Sequence, residues 1–226
     1  MISHRKDSLI LTGARMTSKE DAGSLTVGGR LLLTVKLHHL EGLSLSVGSS
    51  MTRLADVNCD VNAQARPDVV ASVLYLRFRK KSFSSVLFTD VIEHLPSRTE
   101  ERALQEIRGC LFEGGQLVLT TPNDVALFKM CDVKYWVSGH RHYKPEFIHQ
   151  LLIKTDFSIR NEFASGWICQ MVEQFLDMLY FFVRLPLKKI TRMMTPSPLL
   201  LETSLNEEYK VRRKNGYTLF FIAQRN

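Results

Sequence analysis

From Leu43 onward, short apolar runs alternate with polar breaks, at the lengths of buried strands and one-sided helices. Residues 43–47 predict a first strand, closed by Gly48-Ser49-Ser50, and residues 57–61 a second, with Asp60 at its tip. Residues 68–71 form a short apolar strand, and residues 83–89 a longer one that ends in the polar group Asp90, Glu93 and His94. Ser97, with Glu100 three positions on, predicts a capping box for a helix over 98–111. Ala103, Leu104, Ile107 and Leu111 share one face of that helix. Gly114-Gly115 is expected to stop it and turn the chain into a strand over 116–121. Lys144-Pro145-Glu146 opens a second amphipathic helix with Phe147, Ile148, Leu151 and Leu152 on its apolar side. Residues 157–163 and 216–223 have strand length and β-rich composition.

The flanking regions are less regular. Residues 1–25 read as a polar arm, and residues 31–40 as a helix leading into the domain. Residues 167–195 are rich in Met and aromatics, with Ile168, Val172, Phe175, Leu179 and Phe182 at helical spacing before the break Pro196-Ser197-Pro198. Strands alternating with helices predict a mainly parallel α/β sheet in a single domain spanning residues 1–226. Residues 167–212 then form an inserted helical cover before the last strand.

Composition narrows the function classes. A charged fraction of 23% and an apolar fraction of 45% are those of a soluble globular protein. The net charge of +7 favours anionic partners, but the basic residues are scattered and no interleaved aromatics accompany them, which argues against nucleic acid. The four cysteines lie far apart without a CxxC pair, so reduced thiols in a cytoplasmic protein are expected. No apolar run approaches the roughly 18 residues of a membrane span. His94, His140 and His142 have no compact ligand spacing in the sequence, so no metal site is expected.

In parallel sheets ligands bind beyond the carboxyl ends of the strands, which directs attention to Gly48, Asp60, the 71–73 segment and Asp90. The run from Asp68 to Asn123, with Asp90-Val91-Ile92-Glu93-His94-Leu95 and Gly114-Gly115-Gln116-Leu117-Val118-Leu119-Thr120-Thr121-Pro122-Asn123, resembles class I S-adenosylmethionine-dependent methyltransferases of the small-molecule, type 11-like branch. The resemblance covers residues 43–163 and 216–224. It implies a Rossmann-like three-layer sandwich with an antiparallel last strand and S-adenosylmethionine as cofactor. Gly48 would then let the backbone approach the cofactor, Asp60 would bind the ribose hydroxyls, and Ala71, Ser72 and Val73 would border the adenine. Asp90 would face the cofactor pocket, and His94 would be a candidate for taking a proton from an acceptor hydroxyl.

This chain departs from the family pattern at several points. Only one glycine stands in the first turn, Ser46 replaces a common acid, and Ser72 replaces an aspartate. Gly48 and Asp60 are only 12 positions apart, and Asp60 and Asp68 only 8, so the first helices are shortened. The expected reaction is methyl transfer, most plausibly to oxygen, on a small or lipid- or glycan-linked acceptor. The alternative is a non-catalytic methyltransferase-like binding module. Arg184, Lys188, Lys189 and Arg192 after the aromatic stripe are compatible with peripheral contact at an anionic membrane. The sequence leaves the acceptor's identity and the oligomeric state open.

Overall fold

The computed structural model describes residues 42–132, 135–136, 139–184 and 199–226. The expected arm over 1–25, the helix over 31–40, the break at Pro196-Ser197-Pro198 and the basic residues Lys188, Lys189 and Arg192 lie outside them. Seven strands form one sheet in the order β3-β2-β1-β4-β5-β7-β6. They are β1 Ser44–Val47, β2 Val57–Asp60, β3 Val69–Val70, β4 Phe83–Thr89, β5 Leu111–Pro122, β6 Phe157–Ser165 and β7 Thr218–Arg225. β1 to β5 pair in parallel, and β7 is inserted antiparallel to both β5 and β6.

Side-chain alternation along the strands builds two cores. Val86 and Phe88 of β4, and Leu219, Phe221 and Ala223 of β7, pack with α1 (Glu100–Cys110) and, as the third helix, α3 (Pro145–Lys154). Ala103, Leu104 and Ile107 of α1, and Ile148, Leu151 and Leu152 of α3, are the buried helical partners. Each such Leu or Phe contributes about 1.5–3 kcal/mol relative to exposure. Phe220 points the other way, onto Leu205 and Tyr209 of α5 (Leu199–Tyr209). Helices on both faces give the three-layer, Rossmann-like sandwich.

Among the described residues no α-helix separates β1, β2 and β3. Residues 48–56 make the first connection, and a single 3-10 turn, Ala63–Ala65, interrupts the second. The shortening foreseen from the spacing is therefore complete at these two crossovers. Hydrogen bonds replace the missing packing. Asp68 accepts from the Asn58 backbone N–H and from Asn58 Nδ2 at 2.8 and 3.0 Å, and Arg53 Nη1 donates to it at 2.7 Å. The Arg53 bond first, then Asn58, holds the Asp68 carboxyl down at about 2. A depressed acid contributes stability above its unfolded value and loses it as pH falls through the folded one. Asp68→Asn should therefore lower the melting temperature slightly at neutral pH and leave it unchanged near pH 2. A deficit that persists undiminished near pH 2 would refute this account. The pair is partly exposed, so the effect is small.

Two local expectations are corrected. The capping box does not form, because the helix begins at Glu100 with Thr99 as its N-cap, and Glu100 turns inward to pair with Arg141. Gly114-Gly115 does not stop the helix. The chain leaves α1 at Cys110 and enters β5 at Leu111, and Phe83 pairs with Leu111 while Ser85 pairs with Gln116. The intervening residues therefore form an irregularity within the strand, where a Cβ on Gly115 would stand 2.9 Å from the Phe112 carbonyl.

The 167–195 stretch yields α4, Ile168–Arg184, after the short second helix α2 (Ala126–Cys131) and α3. Glu208 of α5 caps it, accepting from the N–H groups of Ile168, Cys169 and Gln170 at 2.6, 3.2 and 3.2 Å. A carboxylate at a helix N-terminus satisfies amides that have no partner within the helix. The helix α5 lies within the cover expected over 167–212, although no separate helix had been assigned there. No described helix is long and apolar enough to cross a membrane.

Candidate active site

The tips of β1, β2, β3 and β4 lie side by side at the carboxyl edge of the sheet. Gly48 leaves β1 with φ of 72°, and an added Cβ would stand 2.3 Å from Val91 Cγ2. The first turn is thus pressed against the turn after β4, which only glycine permits. The N–H groups of Gly48 and Ser49 both donate to the Cys59 carbonyl, at 2.8 and 3.2 Å, and close the turn over β2.

Asp60 lies beside that turn. Its Oδ2 accepts from the Ser50 N–H at 2.7 Å and its Oδ1 from the Asn62 N–H at 2.8 Å. Two amides thus aim the carboxylate, and each oxygen retains a lone pair for a diol. Asp56 sits elsewhere. It accepts from the Ser44 N–H and hydroxyl at 2.9 and 2.6 Å, at the amino end of β1. Ala71 follows β3 and donates to the Asp60 carbonyl at 3.0 Å. Ser72 caps the 3-10 turn Val73–Tyr75 by accepting from the Leu74 N–H at 3.3 Å, and Val73 is buried behind it. The Ser72 hydroxyl keeps a second lone pair. Ser46, penultimate in β1, is buried, and its Oγ has no hydrogen-bond partner.

The turn after β4 carries the second half of the site. Asp90 has φ of 54°, donates its N–H to the Thr120 carbonyl at 3.0 Å and accepts from Thr120 Oγ1 at 3.1 Å. The 3-10 turn Ile92–His94 then buries Glu93 and exposes His94. Arg141 clamps this turn. Its side chain donates to the carbonyls of Ile92, Glu93 and Leu95 and pairs with Glu100, which also accepts from Tyr143 Oη at 3.1 Å.

Behind the turn lies a histidine–carboxylate network. Asp132 Oδ2 meets His140 Nδ1 at 2.8 Å, His142 Nε2 at 2.9 Å and Tyr217 Oη at 3.3 Å. His142 Nδ1 lies 2.9 Å from the Asn123 carbonyl. On the other side of His140, Nε2 lies 3.4 Å from Glu93 Oε1, in ion-pair range but not aligned as a hydrogen bond. Thr121 Oγ1 donates to Glu93 Oε2 at 3.3 Å. Burial alone would lower the His140 imidazole, but the bond to Asp132 and the nearby Glu93 carboxylate outweigh it and push the ring up to about 9. Burial raises the Glu93 carboxyl above its ordinary value, and the nearby Asp90 charge adds to that.

The fold thus brings Gly48, Asp60, Ala71, Ser72, Val73 and Asp90 to one edge and sets His94 at its rim. It also brings together histidines that the spacing in the chain keeps apart. Ligand atoms of Glu93, His94 and His140 all lie within 4.8 Å of one another, and so do those of Asp132, His140 and His142. Asp132 and Tyr217 had not been singled out, and Glu100 only as a helix cap. Their partners lie 8 to 85 positions away, beyond the reach of any local motif.

Comparison with known proteins agrees with this geometry. Residues 28–119 match the family model described as a methyltransferase domain, type 11. Among solved structures, the chain is similar to a Thermotoga maritima S-adenosylmethionine-dependent methyltransferase described as a possible histamine N-methyltransferase. Identity is 15%, with 89% of each chain covered and a TM-score of 0.61. It is also similar to the (4+2)-cyclase SpnF, at 16% identity, with 87% of this chain and 80% of that one covered and a TM-score of 0.58. A third is the Burkholderia thailandensis 1,6-didemethyltoxoflavin-N1-methyltransferase with bound 1,6-didemethyltoxoflavin and S-adenosylhomocysteine. There identity is 12%, coverage 88% and 78%, and the TM-score 0.50. Comparison with curated proteins gives no match.

The fold is that of S-adenosylmethionine-dependent methyltransferases, and residues 28–119 match the methyltransferase-domain model. The cofactor that this likeness implies is S-adenosylmethionine. The residues present fit that cofactor: a turn that tolerates no Cβ, a carboxylate aimed by two amides, and the orphaned hydroxyl of Ser46 beneath them.

Proposed function

We propose that the chain methylates an oxygen of a small or a lipid- or glycan-linked acceptor. The observation that carries this reading is the cluster of Glu93, His94 and His140, which stands just beyond the Asp90 turn. S-adenosylmethionine supplies a methyl group already activated as a sulfonium, so the protein's task is largely positioning. Gly48 and Ser49 bring backbone to the cofactor, Asp60 receives the ribose hydroxyls, and Ala71, Ser72 and Val73 border the adenine. Asp90 faces the cofactor, and His94, at the rim, meets the acceptor hydroxyl and its proton. Because one similar fold belongs to a cyclase, the reaction is argued from these side chains and not from the fold.

The acceptor's apolar part is supported by α4. Val172, Phe175, Leu176 and Leu179 are all exposed along it. The helix packs against α2, which follows the carboxyl end of β5. An exposed apolar stripe beside a site marks a binding surface. We therefore read residues 167–212 as a helical cover inserted within a single domain.

A ligand selective for the native state raises its melting temperature, by about 2.7 kcal/mol of stabilisation at a hundredfold excess over Kd. Scanning calorimetry of the purified chain with S-adenosylhomocysteine should show this shift. No shift at millimolar ligand would favour the non-catalytic binding module. Co-sedimentation with vesicles, run in parallel, addresses the acceptor. Binding to anionic but not neutral vesicles supports a peripheral, lipid-linked setting, and no binding at low salt points to a soluble acceptor instead.

A further inference from the structure

We propose that Glu93, His94 and His140 form a site for a divalent cation of the zinc class, with an open position toward the acceptor. This deepens the methyl-transfer reading and rests on it for the acceptor: with a cation bound, His94 would be a ligand, and the cation rather than the ring would meet the acceptor hydroxyl.

The geometry fits such an ion. The three ligand atoms lie within 4.8 Å of one another. The 3.4 Å between Glu93 Oε1 and His140 Nε2 is about the separation of two ligands each roughly 2.1 Å from a tetrahedral centre. Glu93 Oε1 is fully buried and has no hydrogen-bond partner, although the carboxylate's other oxygen is held by Thr121. It is an acceptor aimed at the place a cation would fill. An orphaned buried carboxylate oxygen is costly, and this is the one such carboxylate oxygen among the described residues.

The outer contacts point the same way. His140 turns Nδ1 to the buried Asp132 at 2.8 Å, which leaves Nε2 facing Glu93. A carboxylate behind a histidine ring is the arrangement that orients imidazoles toward metals. Asp132 is in turn fixed by His142 and Tyr217. The alternative grouping of Asp132, His140 and His142 is a poorer site, because both His142 ring nitrogens and Asp132 Oδ2 are already engaged. His94 is exposed, its ring centroid 4.7 Å from that of His140, so it is placed to close the site from the solvent side. Two imidazoles and one carboxylate are a ligand set of catalytic zinc sites, which keep a fourth position for water or substrate. Here that position would take an acceptor hydroxyl or carboxylate. A metal-free network accounts for His140 between two carboxylates, but it leaves Glu93 Oε1 unaligned.

The test titrates the chelator-stripped full chain with Co²⁺ and follows the visible spectrum. The expected result is one bound equivalent with the visible bands of four-coordinate cobalt, displaced by Zn²⁺. His94→Ala should weaken binding at least about tenfold, since even outer-shell losses cost that much. His94 is on the surface, so this variant should fold. His149→Ala, which removes an exposed histidine paired with Glu162, should leave binding unchanged. The proposal is overturned if millimolar Co²⁺ keeps the spectrum of the free aqueous ion, if a near-ultraviolet thiolate band shows cysteine ligation, or if His94→Ala binds as the wild type does.

Discussion

Arg141→Ala should destabilise the protein by about 3 kcal/mol, at the lower end of what breaking a buried ion pair costs. Arg141 is partly exposed, which argues for that lower end, but Glu100 is nearly buried and would keep only Tyr143 as a partner. The same substitution takes the guanidinium away from the carbonyls of Ile92, Glu93 and Leu95. For a chain of this size the loss corresponds to a fall in melting temperature of about 6–12 °C. Arg141→Lys keeps a charge but not the planar fork and should recover only part of it. Chemical denaturation of the three proteins decides the matter. A value for Arg141→Ala within about 0.5 kcal/mol of wild type, the range of ordinary surface changes, would show that the clamp is incidental. The consequence reaches function because the clamped turn carries Glu93 and His94, and a loosened turn would displace both.

The parts of this fold that were legible in the sequence are those whose cause is local. The residues from Phe83 to Thr89 hold the apolar run Val86-Leu87-Phe88 before a polar end, and the strand found there has the ends expected of it. Pro145 fixes the first turn of α3, and that helix starts where the proline stands. Ends set by distant partners were not legible. Glu100 has the spacing of a capping box, but a partner 41 positions away draws it inward, and no local rule contains Arg141. Gly114-Gly115 looks like a helix stop, although the helix has already ended; Gly115 relieves crowding against the Phe112 carbonyl and Ser84 of β4, and Gly114 against Gln224 of β7.

The site divides in the same way. Asp60 ends a strand and Gly48, Ser72 and Asp90 stand within two residues after one, so a reading of strand ends finds them. The network of Asp132, His140 and Glu93 is assembled by the fold from three loops, and its spacing in the chain had argued against a ligand set. Tyr217 reaches Asp132 from the far end of the sequence only because β7 is inserted beside β5. Long-range topology, not motif, creates that cluster.

Asp60→Ala should weaken S-adenosylhomocysteine binding by about 1.5–3 kcal/mol, the range for a hydrogen bond to a charged group. That is roughly 10- to 150-fold in Kd. Both carboxylate oxygens are held by backbone amides of the turns that flank the cofactor position, so the side chain is preorganised for a diol. Removing it costs the bond to the ligand and releases the Ser50 and Asn62 amides together. Asp56 gives the contrast. It is a strong acceptor too, but its partners are the N–H and hydroxyl of Ser44, at the opposite end of β1 from Gly48. Asp56→Ala should therefore lower the melting temperature and leave the affinity nearly unchanged. Isothermal titration of both variants with S-adenosylhomocysteine, alongside their unfolding curves, separates affinity from stability. Equal losses of affinity would mean that the ligand senses the integrity of β1 and not the Asp60 carboxylate. A larger loss for Asp56→Ala would place the ribose at a different strand end, and the assignment of the pocket along the β1–β4 edge would fall with it.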